Sequence, residues 1–397
     1  MVSGAIGIAA LCDFGWRPAR LPAKFGRMTK RLPAVLLAFA AVAGLTASSS
    51  APVQGGPTTP ADARRILSAL ADDSMEGRAS GTPGAQRAAR YIGGEMKKIG
   101  LEPLGDSGYF QRVAVTMDTM YRPAMRAVTI TDSTGRKSVR GEPTGGPPVM
   151  RVGLRVRESF AALDTVPRSR WRPAVNVLGV IRGSDPALKN EYVLVDGHYD
   201  HLGIGRPVNG DSIYNGADDD ASGITAVLEI ARQMMNGPKP KRTVVFAAMI
   251  GEEVGLLGTN WYIAHPAIPL ENMAANLEIE MIGRPDSLAG GVGRAWLTGY
   301  ERSTMGDALS ANGIPIVPDK RIDQNFFGRS DNIAFARRGI PAHTLSSFNL
   351  HTDYHRPSDD ITKVDFVHMA GVINAGARAV RLLTDGPKPE WKAGGKP

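Results

Sequence analysis

From Val175 onward, short apolar runs alternate with segments whose apolar residues recur at helical spacing. That alternation predicts a doubly wound α/β sheet, whose strands are buried on both faces and whose helices pack back on it. Upstream, Ala61 to Leu70 and Gly84 to Ile99 also carry helical spacing. The second places Ala88, Tyr91, Ile92 and Met96 on one face, with Lys97 and Lys98 in its last turn and Gly100 as its stop. A glycine-rich loop, E-G-R-A-S-G-T-P-G (Glu76 to Gly84), lies between them. Residues 112–172 differ. They hold a β-branched alternation (Ala127 to Thr131), a turn at Ser133-Thr134-Gly135, Pro/Gly clusters and many arginines, which together read as a small inserted region. The expected organisation is a leader over 1–51, a helical part over 60–111, the basic insertion over 112–172, the main part of the same domain over 173–386, and a flexible tail over 387–397.

Composition narrows the function classes. The 397 residues include one cysteine, Cys12, which excludes a disulfide framework and any cysteine-rich metal site. Met28 to Ala51 has Lys30 and Arg31 before an apolar stretch from Leu32 to Leu45, then small residues. This is the layout of a secretory signal peptide, with Met28 the expected start and the secreted or periplasmic space the destination. No cysteine follows the apolar run, so no lipid anchor is expected, and no later segment reads as a transmembrane helix. The net charge of +8 suggests nucleic acid until it is located. The leader carries +5 of it and the insertion +7, so the remainder is −4. No nucleic-acid partner is expected.

The chemistry gathers where apolar runs end. Tyr192 to Val195 leads into D-G-H-Y-D-H (Asp196 to His201), and Thr243 to Ile250 leads into G-E-E-V-G-L-L-G (Gly251 to Gly258). Ala275 to Ile282 contains L-E-I-E-M-I, and Ile340 to Leu345 precedes H-T-D-Y-H-R-P-S-D-D (His351 to Asp360). A fifth piece, N-G-A-D-D-D-A-S-G (Asn215 to Gly223), opens a helix. In open α/β sheets the ligand crevice lies at the carboxyl ends of the strands. Each piece alone has a plain structural reading. A lone histidine is usually a satisfied one, Glu252-Glu253 could be solvated charge, and Glu278 with Glu280 could mark a half-exposed strand. The aspartates 218–220 suit a helix N-terminus. His198 and Asp200, two apart at a strand end, share a side, which lets the carboxylate brace the imidazole. Together, histidines and carboxylates without thiolate suit zinc or a similar divalent ion in a catalytic site, and the surplus of carboxylates suits two ions bridged by one aspartate. No Walker loop, nucleophile elbow or dinucleotide fingerprint competes.

The order G-H-Y-D-H, G-A-D-D-D-A-S-G, G-E-E-V-G-L-L-G, E-M-I-G-R and Y-H-R-P-S-D resembles the co-catalytic dizinc aminopeptidases of the aminopeptidase Y and bacterial leucyl aminopeptidase family, relatives of glutamate carboxypeptidase II and the glutaminyl cyclases. The resemblance extends upstream to E-G-R-x-x-G-T-x-G and K-K-I-G-L-E-P-L-G, and so covers most of residues 60–385. It implies a three-layer α/β/α sandwich with a mostly parallel mixed sheet, two zinc ions and a peptide substrate. By resemblance, His198 and Glu280 would hold one ion, Glu253 and His355 the other, and Asp219 would bridge them, with Asp218 and Asp220 as alternatives. Asp200 would orient His198, Glu252 would be the general base for the water between the ions, and Tyr354 would stabilise the oxyanion. The family usually has aspartate where Glu280 stands, so Glu278 could share that role. His201, Asp331 and His351 would support the ligands from behind. The activity implied is release of N-terminal residues from peptides. A carboxypeptidase or other amidohydrolase, a single-zinc glutaminyl cyclase and a metal-free binding module are the alternatives.

Overall fold

The computed structural model describes residues 56–122, 125–131, 137–144 and 149–397. The expected leader, Cys12 and the turn at 133–135 lie outside the described residues. Four parallel strands form the centre of the sheet, in the order Thr243–Met249, Tyr192–His198, Met273–Ile279 and Ala342–Ser346. Val175–Ile181 extends one side antiparallel, and Ala295–Leu297 with Ile316–Pro318 extends the other. The sheet is therefore mixed but parallel where the site forms.

Strand alternation sorts the core into two layers. Val193, Val195, Val244, Phe246 and Ala248 join the cluster under the helices Pro60–Leu70, Pro83–Ile99, Gly223–Asn236 and Phe366–Asp385. Tyr192, Leu194, Val245, Ala247 and Met249 point to the other face, against Tyr262, Ile263, Ile333 and Phe335 of Leu257–Ala264 and Asn332–Ala336. The result is a three-layer α/β/α sandwich. Both early helices begin on a threonine cap followed by proline: Thr59 caps the first and Thr82 the second. Gly100, at φ +91°, ends the second.

Phe110–Arg112 pairs with Val175–Ile181, so the chain leaves and re-enters the domain along one edge of the sheet. Between these points, Val115–Arg122, Val149–Val156 and Trp171–Arg172 make a small antiparallel sheet, and Met125–Thr131 pairs with Lys137–Pro143 as a hairpin. Residues 387–397 correct an expectation. The segment lies along the domain rather than hanging free. Trp391 donates its indole N–H to the Gly339 carbonyl at 2.9 Å, and Lys392 N donates to the Arg302 carbonyl at 2.9 Å. The Trp391 ring sits edge-on to Phe327. An indole that covers apolar surface and finds a hydrogen-bond acceptor anchors a terminus better than the polar residues around it suggest. Among the described residues no helix is long and apolar enough to cross a membrane.

Candidate metal centre

Each donor residue is delivered by a strand end or the loop just past it. His198 is the last residue of its strand and wholly buried. After Met249 the chain turns at Gly251, whose φ of +84° and 2.8 Å clearance from Leu257 to an added Cβ require glycine. That turn brings out Glu252 and Glu253. Asp200 fixes it, because its Oδ1 accepts the N–H groups of Gly251 (2.8 Å) and Glu252 (3.2 Å) while Oδ2 accepts Ser80 Oγ. The imidazole of His198 meets the Asp200 carbonyl at 3.1 Å, whereas the carboxylate is 3.8 Å away. The expected brace is thus main chain. The Asp200 side chain is spent on positioning the glutamates instead.

The three aspartates differ in what their carboxylates meet. Asp218 accepts Gly283 N at 2.6 Å and meets His351 Nε2 at 3.0 Å. Asp220 accepts the N–H groups of Gly223, Met281 and His198. Both carboxylates are consumed by the surrounding chain. Only Asp219 has both oxygens facing imidazoles: Oδ1 lies 3.3 Å from His198 Nε2, and Oδ2 lies 3.2 Å from His355 Nε2 and 3.7 Å from His201 Nδ1. Asp359 holds it there by accepting the N–H groups of Asp218 and Asp219, each at 3.1 Å. Glu278 cannot share the place of Glu280. Its carboxylate accepts Ser330 Oγ, Thr344 Oγ1 and the N–H groups of Asp331 and Asn332. The strand is also buried along its length rather than half-exposed, so Glu278 faces the interior, and Glu280 follows just past its end, half-buried.

Two donor sets result, sharing Asp219. His198, Asp219 and Glu280 bring donor atoms within 4.8 Å of one another, as do His201, Asp219 and Glu253. His355 Nε2 joins the second set at 3.2 Å from both Asp219 Oδ2 and Glu253 Oε2. Buried polar atoms usually have hydrogen-bond partners. Here His198 Nε2, His201 Nδ1, His355 Nε2 and Glu253 Oε1 have none. Imidazole nitrogens and carboxylate oxygens that face one another without hydrogen-bonding suit divalent cations held between them. Burial alone would raise Asp219, but the His201, His198 and His355 imidazoles more than offset it and hold its carboxyl well below the usual range. Those carboxylates in turn push His355 up to about 10 against the effect of burial. Burial drives Glu252 well above the usual range, helped by Glu280, Asp331 and Glu253 and opposed by His198. His355 itself sits at φ +57°, a strained conformation for a residue with a Cβ.

Arg78 and its role are missing from the sequence reading. Its side chain is fully buried and donates to four carbonyls: Tyr199 (2.8 Å), Leu70 (2.7 Å), Asn215 (2.6 Å) and Gly216 (2.9 Å). It therefore ties the loop after His198 to the loop before Asp219. The preceding Gly77 packs so tightly that a Cβ would stand 2.4 Å from the Tyr214 carbonyl oxygen. That explains the E-G-R motif as a clamp. Arg78→Ala leaves several buried carbonyls without donors and is expected to cost about 3 kcal/mol or more of stability. The denaturant midpoint measures the loss, and an unchanged midpoint would count against the clamp.

A model of peptidase family M28 matches residues 176–377, a little over half of the chain and every donor from His198 to His355. The chain belongs to peptidase family M28. The probable leucine aminopeptidase 2 of Aspergillus oryzae is 29% identical over 237 residues, 54% of this M28 chain and 45% of that one. A probable lipoprotein aminopeptidase of Mycobacterium tuberculosis is 27% identical over 242 residues, 55% of this chain and 40% of that one. The M28 chain thus spans under half the length of these curated relatives. Among solved structures, a zinc aminopeptidase from Bacillus subtilis aligns with a TM-score of 0.56 at 18% identity, covering 86% of this chain and 98% of that one. An aminopeptidase from an Aneurinibacillus strain gives 0.54 at 17%, covering 83% and 95%. The shared fold is the α/β sandwich described above.

Proposed function

We propose that this M28 protein is a dizinc exopeptidase that removes residues from the N-termini of peptides. The observation that carries the proposal is the pair of donor sets meeting at Asp219, with Glu252 beside them in one cleft. Asp219, Glu252, Glu253 and Glu280 carry four negative charges when ionised, which two divalent ions balance and one does not. Ions held there supply Lewis acidity for the scissile carbonyl and for water.

The remaining steps belong to the chain. Glu252 lines the cleft but has no place in either donor set, and burial raises its carboxyl well above the usual range. It is the group that takes a proton from the attacking water and returns it to the leaving amine. The Gly251 turn, pinned by Asp200, fixes where that carboxylate stands. Tyr354 is stacked on His355 at 3.8 Å and lines the same cleft, so its hydroxyl is the side-chain donor for the developing oxyanion. Trp296, Phe326 and Phe348 form an apolar wall that suits a large apolar side chain on the substrate.

The test compares leucyl-nitroanilide with its N-acetylated form. Cleavage of the free amine alone, abolished by chelator, is the expected result. Equal cleavage of the blocked substrate would show that no free amine is needed and would instead favour the amidohydrolase reading. We infer export to the periplasm or medium from Lys30, Arg31 and the apolar Leu32 to Leu45. N-terminal sequencing of the exported protein tests this.

A further inference from the structure

His201 differs from the other histidines around the centre in a way that its place in the sequence does not announce. Its ring is almost fully buried, at 2% exposure, and neither ring nitrogen has a hydrogen-bond partner. Nδ1 is nevertheless 2.8 Å from Glu253 Oε1 and 3.7 Å from Asp219 Oδ2. The distance to Glu253 is that of a hydrogen bond, but the ring is not aligned to make one, since an N–H bond must point close to its acceptor. His198 Nε2 and His355 Nε2 have the same signature, near a carboxylate oxygen without bonding to it. His351 is the contrast. Its Nε2 meets Asp218 Oδ2 at 3.0 Å in a regular hydrogen bond, which is the geometry of a supporting residue.

The chain also reserves space for the His201 ring. A Cβ on Gly216 would lie 2.6 Å from both Cγ and Cδ2 of that ring, so only glycine allows it to sit there. Gly216 is itself fixed at φ +55°, with its carbonyl accepting from Arg78 Nη2. The backbone of His201 donates to the Arg78 carbonyl at 3.4 Å. One buried arginine therefore holds both the histidine and the wall behind it.

We propose that His201 is a direct ligand, through Nδ1, of the ion held by Asp219 and Glu253. This rests on the metal-centre reading above and extends it. With His355, that ion has four protein donors, while its neighbour has three in His198, Asp219 and Glu280. Ions with a complete set of protein ligands are typically structural, and catalytic ones keep an open position. The open position then falls at the His198 set, the one that contains Glu280. Peptide carbonyl and water would approach there, and the His201 set would act as the fixed anchor.

The experiment loads metal-free wild type, His201→Ala and His201→Asn with cobalt(II) and records the paramagnetically shifted imidazole resonances by proton NMR. The same samples are taken through a graded chelator titration. Each imidazole bound to cobalt contributes its own shifted ring signals. The expected result is that both variants lack one imidazole set that wild type has and release one ion at chelator concentrations at least ten-fold lower. A hydrogen-bonding role alone could weaken binding but would leave the number of shifted sets unchanged, and that result overturns the proposal. Failure of wild type to bind two equivalents of cobalt would instead overturn the dizinc reading beneath it. His201→Asn keeps the side chain polar and compact, so it answers the question if the alanine variant does not fold.

Discussion

Glu252→Gln is expected to lower kcat by about 10²–10⁴-fold, the usual contribution of a positioned general base. That is about 3–5 kcal/mol of transition-state stabilisation. The amide keeps the size of the side chain and the backbone N–H bond to Asp200. It removes no donor from either set, so zinc content measured on the same preparation should stay at the wild-type value. KM should move little, because the missing proton transfer belongs to the transition state rather than to substrate binding. Full activity with full metal would remove Glu252 from the mechanism. Lost activity together with lost metal would show that it acts as a ligand.

Asp219→Ala is expected to do the opposite to the metal. Asp219 is the one carboxylate common to both donor sets, so its loss weakens both at once. Activity should fall by at least as much as in Glu252→Gln, and bound zinc should drop well below that of any variant altered in a single set. The loop should survive, because Asp218 and Asp220 keep their own bonds to Gly283, Gly223 and Met281. Near-native circular dichroism with low zinc content is the combined signature. Retention of two zinc equivalents would exclude Asp219 as the shared ligand.

The contrast between these variants shows which parts of the site were legible in sequence. The strands were readable because parallel strands buried on both faces must be continuous apolar runs, and Val193 to Val195 or Val244 to Ile250 can be little else. The residues just past those runs were readable because the topology gathers strand ends into one crevice. Motif alone picks Asp219 over its neighbours, and it is the one of the three whose two oxygens face His198 and His355. What sequence could not give was competition for the same group. Asp200 looked free to brace His198, but the N–H groups of Gly251 and Glu252 claim its carboxylate. Glu278 looked equivalent to Glu280 two residues on, yet four donors consume it. Arg78 and Gly216 lie far apart in the chain and meet only in the fold, and so His201, which they hold, read only as a support behind the ligands. The usable signal was the pairing of E-G-R upstream with Y-N-G before the aspartates, a glycine in each motif marking a close approach. Trp391 in a polar, glycine-containing tail was a similar hint, since a lone indole there needs a surface to cover.

Zinc titration of the metal-free protein, following hydrolysis of leucyl-nitroanilide and bound metal together, asks whether both donor sets must be filled. Activity should reach its plateau at two equivalents of zinc, with both ions retained after gel filtration. A plateau at one equivalent, or activity that needs no metal, would rule out the dizinc centre.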